Sequence, residues 1–177
     1  QMLEQAQWHS SLEQECGGIL LRSCLAPALG QKSTAFLRAE AYRPIYAALI
    51  GGQVHLQMST ELHIVQQLML AERHALRWAE AQEILDQAFA RHPDLEQSDL
   101  RDFASLLARR ADLLGAWSDY AREQNEHEQA HTLREQTIVL YRQCIGLWKR
   151  VEEQSLPGNR SGYRYNQARY LNNVAYR

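Results

Sequence analysis

Proline and glycine are scarce in this chain: four prolines and nine glycines in 177 residues. Few points therefore force a helix to stop, and a chain broken every few residues by turns is excluded. Cysteine is scarcer still. Cys16, Cys24 and Cys144 are odd in number and stand at no metal-like spacing. They exclude a disulfide framework and read as small buried residues in a reducing compartment. Long apolar runs are missing as well. A run such as Ile19-Leu20-Leu21 is far below the roughly 20 residues that cross a bilayer, and no secretory signal is visible. The expectations are no membrane span and a cytoplasmic setting. A strong charge of one sign is also absent: the net charge is -2, which argues against a general polyanion binder.

What the chain has in quantity is Ala, Leu, Gln, Glu and Arg, residues that lose little rotamer freedom in a helix. Helix is the default, and the expected fold class is all-α. Of the 19 basic residues, 17 are Arg, whose planar, multi-donor head suits ion pairs with Glu between helices. At this length the chain accommodates one domain or several helical hairpins. Gln1 in place of Met, and a helical pattern still running at Arg177, give the expectation of a segment of a longer protein.

Two hairpins and the start of a third are legible. From 60 to 94, Ser59 or Thr60 can cap a helix, and Val65, Leu68, Met69 and Leu76 follow at helical spacing. A second helix carries Ala81, Leu85, Ala88 and Phe89 and stops at His92-Pro93-Asp94. The next pair carries Leu113, Leu114, Trp117, Tyr120 and Ala121, breaks at 124–127, and resumes with Ala130, Leu133, Thr137, Ile138 and Tyr141. Its second helix runs to about Gln154, where Leu156-Pro157-Gly158-Asn159 breaks it. A third unit opens near Tyr163, with Ala168, Leu171, Val174 and Ala175. Residues 1–58 are expected to form an N-terminal helical region of divergent repeats or capping helices, with helical stretches at 2–15, 19–29 and 33–50, the last kinked at Pro44 and ended by Gly51-Gly52.

The units overlay. Val65, Leu68 and Ala81 match Leu114, Trp117 and Ala130 at a constant offset of 49 residues, and Leu114 and Trp117 match Leu171 and Val174 at 57. A small residue early in each second helix, Ala81 and Ala130, lets two antiparallel helices cross closely. The repeats are expected at about 59–95, 100–155 and 162–177.

Ala81, Leu85, Ala88-Phe89 and Pro93 resemble the tetratricopeptide repeat in their spacing of small, large, small and terminating Pro. Residues 126–142 look like the second helix of such repeats in large bacterial signalling proteins, and Leu171-Asn172-Asn173-Val174-Ala175 resembles an opening helix of the repeats in kinesin light chains. Leu76 and Asn125 stand where the family usually has Gly between helices, and both offsets exceed its usual spacing of about 34 residues. The resemblance implies an α-α superhelix whose first helices line a concave groove for a protein or extended peptide. By that register His63, Gln66, Leu70, Arg73 and His74 line it in the first unit, and Asp112, Asp119, Arg122 and Glu123 in the second. Asn173, with Asn172 beside it, is the candidate for paired hydrogen bonds to a ligand backbone, since an amide offers both donor and acceptor. Gln66, Leu70, Gly115 and Asp119 do not make the family's carboxylate clamp.

No other constellation carries chemistry. His127 and His131 share a helix face, flanked by Glu126 and Glu128, but lack the metalloprotease order and read as a solvated helix start. No nucleophile triad, phosphate-binding Gly loop, metal site or cofactor motif is present. From 160 to 177, Arg160, Arg164, Arg169 and Arg177 alternate with Tyr163, Tyr165, Tyr170 and Tyr176. That stretch reads first as a repeat helix packing on a following one, then as a surface for an acidic peptide. It also supplies the alternative function, a helical-repeat nucleic-acid binder. The expected function is a non-enzymatic partner-binding scaffold, the sensor or interaction region of a larger regulatory protein. Arg169, Asn172, Asn173 and Tyr176 are candidate contacts, and homo-oligomerisation through the terminal repeat is possible.

Overall fold

The computed structural model describes residues 34–156 and 160–176, with side chains from residue 42. Seven helices and no strand make up these residues: α1 Thr34–Ile50, α2 Met58–His74, α3 Trp78–Arg91, α4 Leu95–Ser98, α5 Leu100–Glu123, α6 His127–Gln154 and α7 Arg160–Tyr176. The all-α expectation holds. Among the described residues no helix is long and apolar enough to cross a membrane. The helices expected at 2–15 and 19–29, with Cys16 and Cys24, lie outside the described residues.

Boundaries follow local chemistry. Gly51-Gly52 end α1, with Gly52 at φ +69°. α2 starts ahead of the expected cap: Gln57 is its N-cap, without a side-chain capping bond, and Ser59 and Thr60 lie in the first turn. Pro93 follows the end of α3. α4 is a single turn with no counterpart in the sequence expectations. Asp99 caps α5 by accepting from the Asp102 N–H at 2.9 Å. α6 ends at Gln154 as expected, while α7 opens at Arg160, ahead of Tyr163.

The two hairpin turns share one geometry. Leu76, after α2, has φ +59° and Asn125, after α5, has φ +65°. In both turns the next residue's N–H reaches back five residues: Arg77 donates to the Glu72 carbonyl at 2.9 Å and Glu126 to the Ala121 carbonyl at 2.9 Å. This is a Schellman cap, which needs a left-handed residue at its centre. The two left-handed residues stand 49 positions apart, the same offset that relates Val65 to Leu114.

The chain divides into two compact units, Gln1–Ile84 and Leu85–Arg177. In the first, Tyr42 and Ile45 of α1 pack against Ile64, Leu68 and Ala71 of α2. The Tyr46 hydroxyl donates to the Ile84 carbonyl at 3.3 Å. Glu72 is buried beneath two guanidinium groups, Arg43 from α1 and Arg77 at 2.5 Å. A buried carboxylate is tolerable only when paired in this way, so one acid ties α1 to the turn after α2.

The second unit is built around α6. α5 offers it a continuous strip of small residues, Ala104, Ala108, Ala111, Gly115, Ser118 and Ala121, all buried. Against that strip α6 sets Leu133, Thr137, Tyr141, Cys144, Trp148 and Val151, also buried. Large side chains on one helix fill the space left by small ones on the other. At the narrow end the Ser118 hydroxyl donates to the Ala130 carbonyl at 2.8 Å, a contact that a larger residue at 130 would push apart. The second half of α3 is pinned to α5 by an Asp86–Arg110 ion pair and an edge-on Phe89–Phe103 contact at 6.0 Å.

A left-handed conformation costs a side chain with a Cβ about 1–2 kcal/mol, less for Asn. Leu76 is 52% exposed, so its side chain has little packing to lose. Leu76→Gly is expected to raise stability by about 0.5–1 kcal/mol after the added unfolded-state entropy of Gly, and Asn125→Gly by less. Urea unfolding of the three chains checks this, and an unchanged or lowered midpoint for Leu76→Gly refutes it.

Candidate partner-binding face of the second unit

α6 runs antiparallel to both its neighbours. Ser118 meets Ala130 and Asp112 meets Tyr141 on the α5 side; Trp148 meets Tyr163 and Tyr141 meets Tyr170 on the α7 side. α5 and α7 therefore run the same way. Between them the Arg169 Nη2 donates to the Asp112 Oδ2 at 3.1 Å, across 57 residues. That separation is the offset relating Leu114 to Leu171, so the paired residues hold equivalent places in successive units.

The α6–α7 contact is a register of aromatic stacks. Tyr141–Tyr170 (5.7 Å, 24°) and Trp148–Tyr163 (5.8 Å, 22°) repeat after seven residues, two helical turns, on each helix. Burial pushes the Tyr170 phenol above its usual value, and it pushes the Cys144 thiol up to about 12. Cys144 is accordingly an inert core residue. Two of the four tyrosines from 160 to 177 thus pack on the preceding helix, where a following one was expected. The arginines are engaged too. Arg164 donates to Glu152 at 2.7 Å, Gln167 donates to the same carboxylate at 2.8 Å, and the Arg160 Nε donates to the Ser155 carbonyl at 3.4 Å.

The predicted site residues separate into groups. Asp112 is held by the Tyr141 hydroxyl (2.8 Å) and Arg169, so it fastens three helices together. Arg169 also stacks its guanidinium over Tyr170 at 5.4 Å. Asp119 lies within 3.6 Å of Arg122, one turn on, at the exposed end of α5. Asn173 is half-buried on the side of α7 that carries Arg169. Asn172 falls elsewhere: it is exposed on the face turned away from α6. Tyr176 is 83% exposed at the border of the two faces. In the first unit His63 sits edge-on to Tyr42 of α1 at 6.1 Å, Gln66 and Arg73 are half-buried, and His74 is exposed at the helix end.

Leu171 differs from its expected equivalents. Val65 and Leu114 are buried, but Leu171 is 56% exposed. Leu114 is covered by Ala130 and Leu133 of α6, and no helix among the described residues stands against Leu171 in that way. Val174 does pack on the core of the second unit. Asn166, absent from the expected site, stands seven residues before Asn173 and is likewise half-buried. Its signal was available in that two-turn spacing. Beside Arg169, these amides give α7 a polar face next to the Ser105–Asp112–Asp119 side of α5. Among the described residues no three His, Cys, Asp or Glu side chains group as a metal site.

The hydrogen bonds from Arg164 and Gln167 hold the Glu152 carboxyl below its ordinary value. A carboxyl lowered in the folded state stabilises above its unfolded pKa, and that contribution fades as pH falls through the folded value. The thermal midpoint is expected to drop on acidification below the usual carboxylate range, and Glu152→Gln to flatten that acid limb. Parallel profiles for the two chains would count against it.

Comparison with known protein families, curated proteins and solved structures finds no match to the chain.

Proposed function

We propose that this chain is a tetratricopeptide-like scaffold, an α-α superhelix that binds an extended peptide or protein segment. It would serve as the interaction or sensor region of a larger regulatory protein. The observation that carries this reading is the Asp112–Arg169 pair. It sets equivalent positions of α5 and α7 side by side, with both helices running the same way, as stacked repeat units require. The shared Schellman turns at Leu76 and Asn125 support the same reading from the other offset.

On this reading the ligand lies along the α5–α7 face. Asn166 and Asn173 meet its backbone with a donor and an acceptor each, and Asp119 and Tyr176 stand at the far end. Asp112 and Arg169 are spent on each other and hold the wall in place. Catalysis is not part of the proposal. The nucleic-acid alternative draws less support, because Arg164 and Arg169 already meet carboxylates and Tyr163 and Tyr170 are stacked inward. Stacking on bases needs free rings and free cations.

Selection from a random peptide display library against the 177-residue chain is expected to enrich extended binders. Asn166→Ala and Asn173→Ala should each weaken them about tenfold, the scale of one or two lost hydrogen bonds. Absence of enrichment, or binders indifferent to both substitutions, would sink the reading. Retention on single-stranded RNA that weakens steeply with salt would favour the alternative instead.

A further inference from the structure

Arg109 is a charge of the second unit that the fold leaves unanswered. It stands one turn before Asp112 on α5, and the helical period turns it further from α6 than Asp112 is. Its side chain is half-buried. Asp112 is taken by Tyr141 and Arg169, and the neighbouring Arg110 is turned to Asp86. Among the described residues Arg109 itself makes neither a hydrogen bond nor an ion pair. An exposed arginine without a partner is solvated by water. A guanidinium partly withdrawn from water carries a desolvation cost that an arriving carboxylate offsets.

The repeat offset places Arg109 relative to α7. The Asp112–Arg169 bond sets α5 and α7 side by side, parallel and 57 residues apart. One turn back on each helix, the residue beside Arg109 is Asn166, at the same offset. A second observation agrees. Burial raises the Tyr170 phenol, and the charges of Arg169 and Arg109 act against that rise. The Arg109 guanidinium is therefore within electrostatic reach of α7.

We infer that Arg109 anchors an acidic side chain, Asp or Glu, of the extended segment proposed to lie along α5 and α7; the inference rests on that reading. The planar guanidinium offers two parallel N–H donors to one carboxylate, which fixes orientation as well as charge. The Asn166 amide, at the same level, meets the backbone of that acidic residue. Asn173 is seven residues on, about 10 Å along α7. An extended chain covers that distance in about three residues. The acid thus lies about three residues from the point where the second amide takes hold. Its carboxylate comes from a side chain and not a chain end. α5 begins nine residues ahead of Arg109 and α7 six ahead of Asn166, so the wall runs past the anchor on both sides.

Peptide display against the 177-residue chain tests it. Extended binders are expected to be enriched in Asp or Glu at one position. For an N-acetylated, C-amidated synthetic copy of one such binder, Arg109→Gln should raise Kd about tenfold or more, the scale of a charge-assisted hydrogen bond. Replacing the peptide's acid by its amide should do the same, and the two changes together should cost no more than either alone. Selection repeated on Arg109→Glu should move the enrichment from Asp or Glu to Lys or Arg, a result that a misfolded chain cannot mimic. Binders that need Asn166 and Asn173 but show no acidic preference, or are indifferent to Arg109→Gln, overturn the inference and leave the peptide-binding reading standing. Loss of binding on C-amidation overturns it in favour of a terminal carboxylate. No binders at all removes both readings.

Discussion

The second unit depends on one packing relation: a strip of Ala, Gly and Ser on α5 receives a strip of large side chains on α6. Reversing the sizes would not be neutral. Enlarging Ala111 or Ala108, both buried, would drive Tyr141, Cys144 and Trp148 from their places, and overpacked cores lose about 1–3 kcal/mol per insertion. Tyr141 and Trp148 also carry the stacks with Tyr170 and Tyr163 on the other side of α6. The position of α7 is thus set at second hand, by how deeply α6 sits on α5.

Polar contacts then fix register where apolar ones fix distance. Aromatic stacks repeated every two turns would still offer one ring pair after a slip of seven residues, Tyr141 on Tyr163 or Trp148 on Tyr170. Asp112 removes that freedom. It accepts from Tyr141 and Arg169 together, and no other alignment of α5, α6 and α7 brings those three residues to one point. Glu72 does comparable work in the first unit between Arg43 and Arg77. Single paired charges of this kind contribute little net stability, and their larger effect is on which of several similar packings is adopted.

Much of the fold was legible because periodicity and punctuation agree. Gly51-Gly52, Pro93 and the 124–127 break all end helices where they stand in the sequence, and Ala81 and Ala130 are buried as their size implies. Less legible were features set by three-dimensional neighbours. Leu76 gives no local sign of a left-handed turn; only its 49-residue relation to Asn125 exposes it. The start of α2 lacks a capping side chain, so Ser59 and Thr60 suggested a boundary that the backbone does not use. Leu171 shares the register of Leu114, but burial depends on what covers a residue, and sequence periodicity cannot supply the cover.

The sequence places candidate side chains on helix faces, but it does not show which of them are already engaged within the fold. Asp112 and Arg169, both expected to meet a ligand, are each other's partner, and His63 turns to Tyr42. Among the described residues Arg43, Arg77, Arg110, Arg122, Arg150, Arg164 and Arg169 each meet a carboxylate within the fold. On the proposed reading the groups that meet a ligand's backbone on the α5–α7 face are neutral ones, the amides of Asn166 and Asn173. Recognition by such groups reads backbone and shape more than charge, which is the mode suited to an extended polypeptide.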